Sequence, residues 1–421
     1  MSDISKIIHK YRSNLESYES LYKHFHSYPE LSFLEKETAA TIHSHLSKLQ
    51  AFDIFPGIGG HGLAAVFKNG SGKTVLLRAD IDGLPVEEKT GLPYASKARM
   101  IDLDGVDKPV MHACGHDMHI TSLLAAAEVL VSAKEEWRGT LVLVFQPAEE
   151  KGAGAEAMVV DGLYEKVPVP DVIIGAHVMP HRSGTIGTRR GLMACAADSF
   201  HLTIHGHGGH ASQPHRTIDP IVCAASTILR LQTIPSREVD PKDLAVVTVG
   251  SIHAGDAENI IPSHADLKIN VRTINPQTRS RVLASLRRII DAEAEASNAP
   301  PPSLTSTTKF PFTHNDIHVT SMLEKTFAAH FPSGRHGYNP NSPRLSGSED
   351  FSILATAVEK PSTFFLYGGV DPEAWDEAER MGTILEDIPV SHGPFYAPVV
   401  QPTLRVGVDG YVGAALTWLI R

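Results

Sequence analysis

The segment Met111–His119, with the sequence MHACGHDMH, places several metal-ligating side chains between an extended stretch and the start of a helix. Imidazole nitrogen and thiolate sulfur are suitable donors for zinc, manganese, cobalt or nickel, and the carboxylate of Asp117 can bridge two ions or orient an imidazole. A structural zinc site usually needs a second cluster to close its shell, and this sequence has no CxxC pair. We therefore expect further ligands to come singly from distant segments, which constrains the fold and is typical of a catalytic site.

The length and the charge of the chain limit the classes of protein to which it can belong. Its 421 residues are too many for one small core and fit two domains of ordinary size. A formal net charge of −10, without a run of lysine or arginine, argues against nucleic acid or an anionic membrane surface as the main partner. We therefore expect a globular protein that binds small molecules.

The cysteines and the N-terminal residues bear on the cellular compartment. The three cysteines are Cys114, Cys195 and Cys223, and an odd number in so long a chain argues against a disulfide framework. The first residues, MSDISKIIHKYRSNLESY, have the pattern of an amphipathic helix with charges throughout, without the apolar core of a signal peptide. The sequence has no apolar run of transmembrane length. These features predict a cytoplasmic protein.

Apolar runs of strand length alternate with a helical pattern in the first half of the chain. Thr74–Ala79, Leu141–Phe145 and Asp171–Ala176 are predicted strands, and Ile120–Ala133 is a predicted helix. Ligands of open α/β sheets gather at the carboxyl ends of the strands, so polar residues that follow these strands are expected to converge. Those residues are Asp80 and Asp82 after the first strand, Glu149 and Glu150 after the second, and His177 directly after the third.

The pattern changes from about Ala197 onward, which indicates a second domain. Alternating strands and two helices are predicted there, and three prolines, Pro300–Pro302, mark the end of the second helix. The predicted elements are the strand Ser199–Ile204, the helix Asp219–Leu231, strands near Ala245–Ile252 and Ala265–Thr273, and the helix Gln277–Ser297. We expect an α+β domain over residues 197–309, inserted into an α/β domain formed by residues 1–196 and 310–421.

Several ordered motifs together resemble the M20 metallopeptidase family, and more narrowly its amidohydrolase branch of hippurate hydrolases, auxin-conjugate hydrolases and N-acyl amino acid amidohydrolases. The resemblance runs nearly from end to end, and it is specific for the family and much less so for the substrate. The motifs are HSYPELSFLE at His26–Glu35, RADIDGLPVEE at Arg78–Glu88, HACGHDMH at His112–His119, QPAEE at Gln146–Glu150, GAH at Gly175–His177, GHGGHASQPH at Gly206–His215 and SEDF at Ser348–Phe351.

This resemblance implies a zinc-exopeptidase-like catalytic domain, a mixed sheet flanked by helices, with two divalent metal ions per subunit, zinc or manganese, with cobalt or nickel possible. Glu149, beside a ligand, is implied as the general base of hydrolysis by a metal-activated water. Asp80 and Asp117 are implied to orient ligand imidazoles, although Asp80 is alternatively a turn residue at the end of a strand. The implied ligands are Cys114 in a bridging role, His116, Glu150, His177 and His392. The last lies in VSHGPFYAP, where relatives commonly continue with Ser-Pro or Thr-Pro and an acidic run.

The resemblance also implies a substrate and an assembly. The substrate is an N-acyl amino acid with an aromatic or other apolar acyl group, and the inserted domain is a ferredoxin-like lid and dimerisation domain of a homodimer or higher homo-oligomer. His210 is implied to reach the developing oxyanion from a partner subunit, and Asn259 and Arg272 to hold the substrate carboxylate. A hairpin-turn histidine and a surface arginine are the alternatives for His210 and Arg272.

Three other functions remain open from the residues. A dipeptidase or exopeptidase on the same metal centre would require a free amine on its substrate. A metabolite-binding protein that has lost catalysis would have no need of Glu149. A thiol enzyme would use Cys114 beside His116, but the acidic residues Asp117, Glu149 and Glu150 would raise rather than lower the pKa of the thiol unless a metal offsets them.

Overall fold

The computed structural model describes residues 3–12, 14–334 and 336–420. The chain forms two compact units. The first consists of residues 1–193, 314–344 and 350–421, and the second of residues 194–313 and 345–349. The second unit therefore interrupts the first, and a short segment near residue 347 belongs to it as well.

The secondary structure of the described residues consists of the following helices and strands. The helices are α1 Asp3–Tyr11, α2 Glu16–Ser27, α3 Lys36–Lys48, α4 His116–Ser132, α5 Gly154–Val160, α6 Leu163–Lys166, α7 Pro220–Leu231, α8 Pro276–Ala296, α9 Ile317–His330, α10 Ser352–Thr356, α11 Pro372–Met381, α12 Ile384–Asp387 and α13 Thr403–Leu419. The strands are β1 Asp53–Ile58, β2 Gly62–Asn69, β3 Thr74–Asp80, β4 Arg99–Ile101, β5 Asp107–Pro109, β6 Gly139–Gln146, β7 Val172–Arg182, β8 Ile186–Gly187, β9 Gly191–Ala194, β10 Ala196–His205, β11 Gly209–His210, β12 Ala245–His253, β13 Ile260–Ile261, β14 His264–Thr273, β15 Ser303–Phe310, β16 Thr313–Asn315, β17 Tyr338–Asn339 and β18 Ser362–Val370.

A mixed eight-stranded sheet organises the first unit, in the order β1-β2-β6-β3-β7-β18-β8-β17. The four central strands β6, β3, β7 and β18 are parallel, while β1, β2 and β8 run antiparallel to a neighbour. The central strands are buried on both faces, which explains their continuous apolar sequences such as LVLVF in β6. Helices α4 and α13 pack together and against β3, and both are buried along almost their whole length.

The predicted strands and helices of this unit are confirmed, with two corrections at the places where chemistry is expected. Helix α4 begins at His116 and not at Ile120, so the polar residues of the motif form its first turn. Strand β7 continues to Arg182, so His177 lies within the strand and not directly after it. In both cases polar side chains are buried among polar partners, which a pattern of apolar residues does not reveal.

The second unit has the element order β10, α7, β12, β14, α8, β15. Its four strands form an antiparallel sheet in the order β12-β14-β10-β15. Alternate residues of β14, such as Leu267, Ile269 and Val271, are buried in a core shared with α7 and α8. Both helices begin with a proline after a capping side chain, Asp219 or Asn275, that accepts a hydrogen bond from the first turn.

The single N-terminal helix predicted from the sequence is wrong in part. The structure has two helices there, α1 and α2, and the side chain of Asn14 accepts a hydrogen bond from the N–H of Glu16 at the start of the second. Residues 1, 2 and 13 of that prediction lie outside the described residues. Among the described residues, we find no helix with the length and apolar character needed to span a bilayer. All three cysteines are buried and none forms a disulfide, as predicted.

Candidate metal centre

Five side chains from four distant segments of the first unit lie together, near the C-terminal ends of β6 and β3 and the middle of β7. Two groups of three donors can be distinguished, and within each the ligand atoms lie within 4.8 Å of one another. One group is Cys114, His116 and His177, and the other is Cys114, Glu150 and His392. The Cys114 sulfur is common to both groups, so it occupies the position between two possible ion sites.

The backbone before α4 brings Cys114 and His116 to this position. Gly115 caps the helix with a φ of +83°, in the left-handed region that favours glycine. A Cβ atom on Gly115 would also lie 2.4 Å from Cγ1 of Val178 in β7. A glycine is therefore required here both for the turn and for the close approach of the helix to the strand.

Asp82 fixes the orientation of the His116 ring, a role that the sequence analysis did not assign to it. His116 Nδ1 lies 2.9 Å from the Asp82 carbonyl oxygen and 3.2 Å from Asp82 Oδ1, so it donates its proton there. The other carboxylate oxygen of Asp82 accepts from the Ser32 hydroxyl at 2.6 Å and from the Glu150 N–H at 3.1 Å. Asp82 thus connects two of the candidate ligands. The sequence signal for this role was the position of Asp82, two residues after Asp80.

A sharp turn after β6 presents Glu149 and Glu150. Neighbouring side chains of a strand point to opposite faces, but residues 149–151 form a 3₁₀ turn that brings both carboxylates to the cluster. Ala148, before the turn, has a φ of +49°, and its N–H donates to Glu35 Oε1 at 2.8 Å. The two glutamates lie 4.0 Å and 3.8 Å from His116 Nε2.

His177 and His392 complete the cluster from opposite sides of Cys114. His177 Nε2 lies 3.4 Å from the Cys114 sulfur. His392 Nε2 lies 3.5 Å from Glu150 Oε2, and its side chain is 55% exposed. The N–H of His392 donates to the Ala113 carbonyl at 2.8 Å, which holds its loop beside the Cys114 segment. The registration of this loop, the weakest part of the sequence pattern, is thus compatible with a ligand at position 392.

The contacts of Asp80 and Asp117 differ from the expectation that both orient candidate ligands directly. Asp80 Oδ1 lies 2.5 Å from His119 Nδ1, and the other oxygen is 3.7 Å from His116 Nε2. Asp117 Oδ2 contacts His26 Nδ1 at 2.6 Å. In the part of the chain that the structure describes, we find no hydrogen bond between the Asp117 side chain and any of the five candidate ligands. Asp117 therefore connects α4 to the segment HSYPELSFLE. That segment also supplies Ser32 and Glu35 to the site, a supporting role that the sequence analysis did not assign.

Comparison with known proteins agrees with this geometry. Residues 76–392 match the family model described as peptidase family M20/M25/M40. The chain belongs to the M20 family. A hippurate hydrolase of Campylobacter jejuni is 38% identical over 339 residues, 80% of this chain and 84% of the relative. An N-acyl-L-amino acid amidohydrolase of Geobacillus stearothermophilus is 36% identical over 279 residues, 66% of this chain and 72% of the relative.

A solved structure gives the same fold. The Bacillus subtilis YxeP protein, described as a dinuclear metal binding peptidase from the M20 family, superposes with a TM-score of 0.72 and 27% identity, covering 95% of this chain and 98% of that chain. The resemblance predicted from the motifs is therefore confirmed at the level of the family and of its mixed α/β sheet flanked by helices. As a member of this family, the chain is a hydrolase that acts on amide bonds.

The electrostatics of this M20 site fit divalent cations. Burial and the neighbouring Glu150 raise the pKa of the Cys114 thiol well above its usual range. Burial also raises the pKa of Glu150 to about 8, despite the opposing effect of His116 and with the support of Asp82 and Asp80. The thiol and the carboxyl therefore hold protons unless a cation is present, and binding of a cation releases them. A raised thiol pKa also disfavours the thiol enzyme.

The protonation and the hydrogen bonds of the buried imidazoles in this cluster bear on whether they can bind a cation. Burial and the neighbouring His119 lower the pKa of His177 well below the usual value, so its ring is neutral. His116 Nε2 and Glu150 Oε1 are buried and have no hydrogen-bond partner within the described part of the chain. Buried polar atoms of this kind require an explanation, and imidazole, thiolate and carboxylate donors suit zinc or manganese.

The remaining candidate residues of this M20 chain belong to the second unit. His210 in β11 is exposed, and its partner strand β13 follows directly after Asn259, whose carbonyl accepts from the N–H of Ala211. Arg272, near the end of the central strand β14, donates to the Ser346 carbonyl at 3.1 Å. The structure thus places His210 and Asn259 close together and Arg272 on a different part of this unit.

Proposed function

We propose that this chain is a metal-dependent amidohydrolase that cleaves N-acyl amino acids, with an aromatic or other apolar acyl group, to a carboxylic acid and a free amino acid. The observation that carries the proposal is the pair of donor groups that share the Cys114 sulfur and lie beside Glu149. The names of two relatives support the substrate class, because hippurate is itself an N-acyl amino acid.

We assign the ligand roles to Cys114, His116, Glu150, His177 and His392. Two divalent ions at this centre, when bound, supply a water with a lowered pKa and polarise an amide carbonyl. Zinc or manganese suits these donors best.

Glu149 acts as the general base in this proposal. Glu149 is buried, and its carboxylate lies in a donor group with His116 and Glu150. It takes the proton from the attacking water and passes it to the nitrogen of the leaving amine. Asp80 supports the site by holding His119 and lying near His116. In this scheme the water attacks the amide directly, so the hydrolysis proceeds without a covalent intermediate between substrate and protein.

The second unit serves in our proposal as a ferredoxin-like lid and dimerisation domain, a role compatible with its βαββαβ element order. His210 Nδ1 accepts a hydrogen bond from the N–H of Ser212 at 3.1 Å, so the proton of the neutral ring is on Nε2. His210 can thus donate to an oxyanion, and we assign it this role from a partner subunit. Arg272 and Asn259 would hold the carboxylate of the substrate.

The surface of the second unit supports a homodimer. Val222 and Leu229 of α7 are 64% and 73% exposed, and Val246 and Ile252 of the edge strand β12 are 43% and 47% exposed. Exposed large apolar side chains can contribute to an interaction site, and an open edge strand can pair with a second copy. We propose that these surfaces form the interface and that the enzyme acts in the cytoplasm, where its cysteines stay reduced.

An exopeptidase on the same centre is the second candidate, because the Bacillus subtilis structure is described as a peptidase. The two functions differ in whether the substrate needs a free amine. Hydrolysis of hippurate, N-acetyl amino acids and indole-acyl amino acids should be compared with hydrolysis of dipeptides, on protein whose metal content is measured before and after chelation. We expect chelator-sensitive release of amino acid from the acylated compounds. Cleavage restricted to dipeptides would support the exopeptidase, and cleavage of neither by metal-loaded protein would reject both.

A further inference from the structure

His119 lies in the same cluster as the candidate ligands but does not belong to the two groups that share Cys114. It is fully buried in the first turn of α4, and its ring centroid lies 4.6 Å from that of His177 and 5.4 Å from that of His116. Together with Asp80 and His116, it forms a third group whose donor atoms lie within 4.8 Å of one another. Its residue type and position alone would allow it to be a ligand.

Both ring nitrogens of His119 are already engaged. Nε2 accepts a hydrogen bond from the Val178 N–H at 2.8 Å. Because a peptide N–H can only donate, Nε2 carries no proton, and the proton of the neutral ring is on Nδ1. Nδ1 then donates to Asp80 Oδ1 at 2.5 Å. Neither nitrogen of His119 has a lone pair directed at an ion.

The Val178 peptide connects His119 to His177. The Val178 carbonyl accepts from His177 Nδ1 at 2.5 Å, so the proton of the neutral His177 ring is on Nδ1. This leaves the lone pair of His177 Nε2 on the side of the Cys114 sulfur, 3.4 Å away. His119 therefore holds the N–H of Val178, while the carbonyl of the same residue sets the tautomer of His177.

A buried ion pair anchors the other end of this chain of contacts. Asp80 Oδ2 accepts from Arg78 at 2.7 Å, and both side chains are fully buried. Arg78 also donates to Gln146 Oε1 at 2.9 Å and to Asp350 Oδ1 at 3.3 Å. Arg78 thus holds the Asp80 carboxylate in place. Asp80 in turn fixes the His119 ring at Nδ1, while the Val178 N–H fixes it at Nε2.

We propose that His119 is a positioning residue that acts on the ligand His177 through the backbone of Val178 and does not itself bind an ion. This inference rests on the proposed function, because it requires that His177 is a ligand. The order of contacts is Arg78, Asp80, His119, the backbone of Val178 and His177. Removal of the acceptor at His119 would release the Val178 backbone, and the tautomer and orientation of His177 would no longer be fixed.

Two substitutions at position 119 separate the two hydrogen bonds. In His119→Gln, the amide oxygen can reach the place of Nε2 and accept from the Val178 N–H. In His119→Asn, the shorter amide can replace only the donor at Nδ1. Zinc affinity and the number of zinc ions per chain should be measured by competition with a chelating dye. The full-length wild type, both variants and His177→Gln should be compared, with the melting temperature of each metal-free form.

We expect His119→Asn to weaken zinc binding about 10- to 100-fold with an unchanged number of ions, as for other residues that orient ligands. His119→Gln should stay within about threefold of the wild type, since it keeps the contact that matters here. Equal losses in both variants, or no loss in either, would overturn the proposal. A reduced number of ions, as expected for His177→Gln, would instead make His119 a ligand. A wild type that binds no zinc would refute the metal centre itself and hence the proposed function.

A measurement on the wild type covers the case in which a variant does not fold. Nitrogen-15 spectra of the histidine rings report which nitrogen carries the proton and which binds a metal. We expect His119 to show the proton on Nδ1 both before and after addition of zinc, while His177 Nε2 shifts. A shift of His119 Nε2 to the metal-bound value would contradict the proposal.

Discussion

The sequence motifs predict functional roles for His116 in the first unit and for His210 in the second, but the surroundings of the two residues differ. His116 is fully buried, and Asp82 fixes its Nδ1 from two oxygens. His210 is exposed, and the ring hydrogen bonds that it makes with the described residues are with the nearby Ser212. His116 is oriented by contacts within its own unit, whereas the action of His210 depends on the molecule that binds beside it. Substitutions in the two units should therefore change different measured quantities.

The largest effect is expected from Glu149→Gln, which removes a proton acceptor but preserves size. We expect kcat to fall about 10²- to 10⁴-fold, the range of general base catalysis, with metal content unchanged. Steady-state kinetics and elemental analysis of the same preparation test this. The matched control is Glu165→Gln, a substitution in the short helix α6. Wild-type turnover in Glu149→Gln would exclude its role as the base.

Asp82→Asn tests how far the metal centre depends on its supporting residues. The amide cannot serve all three contacts of the carboxylate, with His116, Ser32 and the Glu150 N–H. We expect zinc affinity to fall about 10- to 100-fold. A dye-competition titration measures this, with Asp104→Asn in the exposed turn between β4 and β5 as control. Equal zinc affinities of the Asp82 variant and the control would show that the candidate ligands keep their positions without the contacts of Asp82.

Arg272→Gln tests the second unit. Loss of a charged hydrogen bond to the substrate carboxylate should raise KM by roughly 10-fold or more, because such bonds contribute about 1.5–3 kcal/mol. Zinc affinity should not change. The control is Arg287→Gln, an arginine of α8 whose side chain is 51% exposed. A lower zinc affinity with an unchanged KM would contradict the division of roles between the units.

The smallest effect concerns stability and the buried contacts of His26. Burial opposes a charge on His26, but hydrogen bonds to Asp117 and Glu88 outweigh it and raise its pKa to about 9. The unfolded value is about 6.5, so the folded state binds more protons between these values. This contribution is complete below about pH 6.5 and is lost as the pH rises through about 9.

His26→Gln lacks this titration. The melting temperature of the metal-free wild type should therefore fall relative to that of the variant as the pH rises from about 6.5 to 9, by roughly 1–2 °C for each kcal/mol lost in a unit of this size. Calorimetry at several pH values measures the difference. A constant difference between the two proteins would show that His26 is not charged in the folded state.

The same contrast explains what the sequence could and could not predict. The strands β3, β6 and β7 and the body of α4 follow from apolar runs, because burial on both faces leaves a continuous pattern. The first turn of α4 was missed, since its residues are polar and are buried only because Asp80, Asp82 and His26 satisfy them. Such contacts join segments distant in sequence, and no local pattern encodes them.

The assignment of roles shows a similar limit. Asp80 and Asp82 both follow the same apolar run, and the sequence alone does not tell which of them meets His116 and which meets His119. The ligands came from the family resemblance, and their convergence could be expected because strand ends share one edge of a sheet. For the exposed His210, Asn259 and Arg272, only the resemblance predicts a role.

The interrupted first unit has a consequence for the order in which the protein can fold during synthesis. Strand β18 lies between β7 and β8 in the sheet, although it follows both along the chain. The ribosome therefore releases β8 and all of the second unit before it releases β18, the strand that joins β8 to β7. The C-terminal loop with His392 follows later still. A nascent chain would carry four of the five donors exposed to the metals of the cell while the fifth was still being translated, so zinc capture should be among the last events of folding.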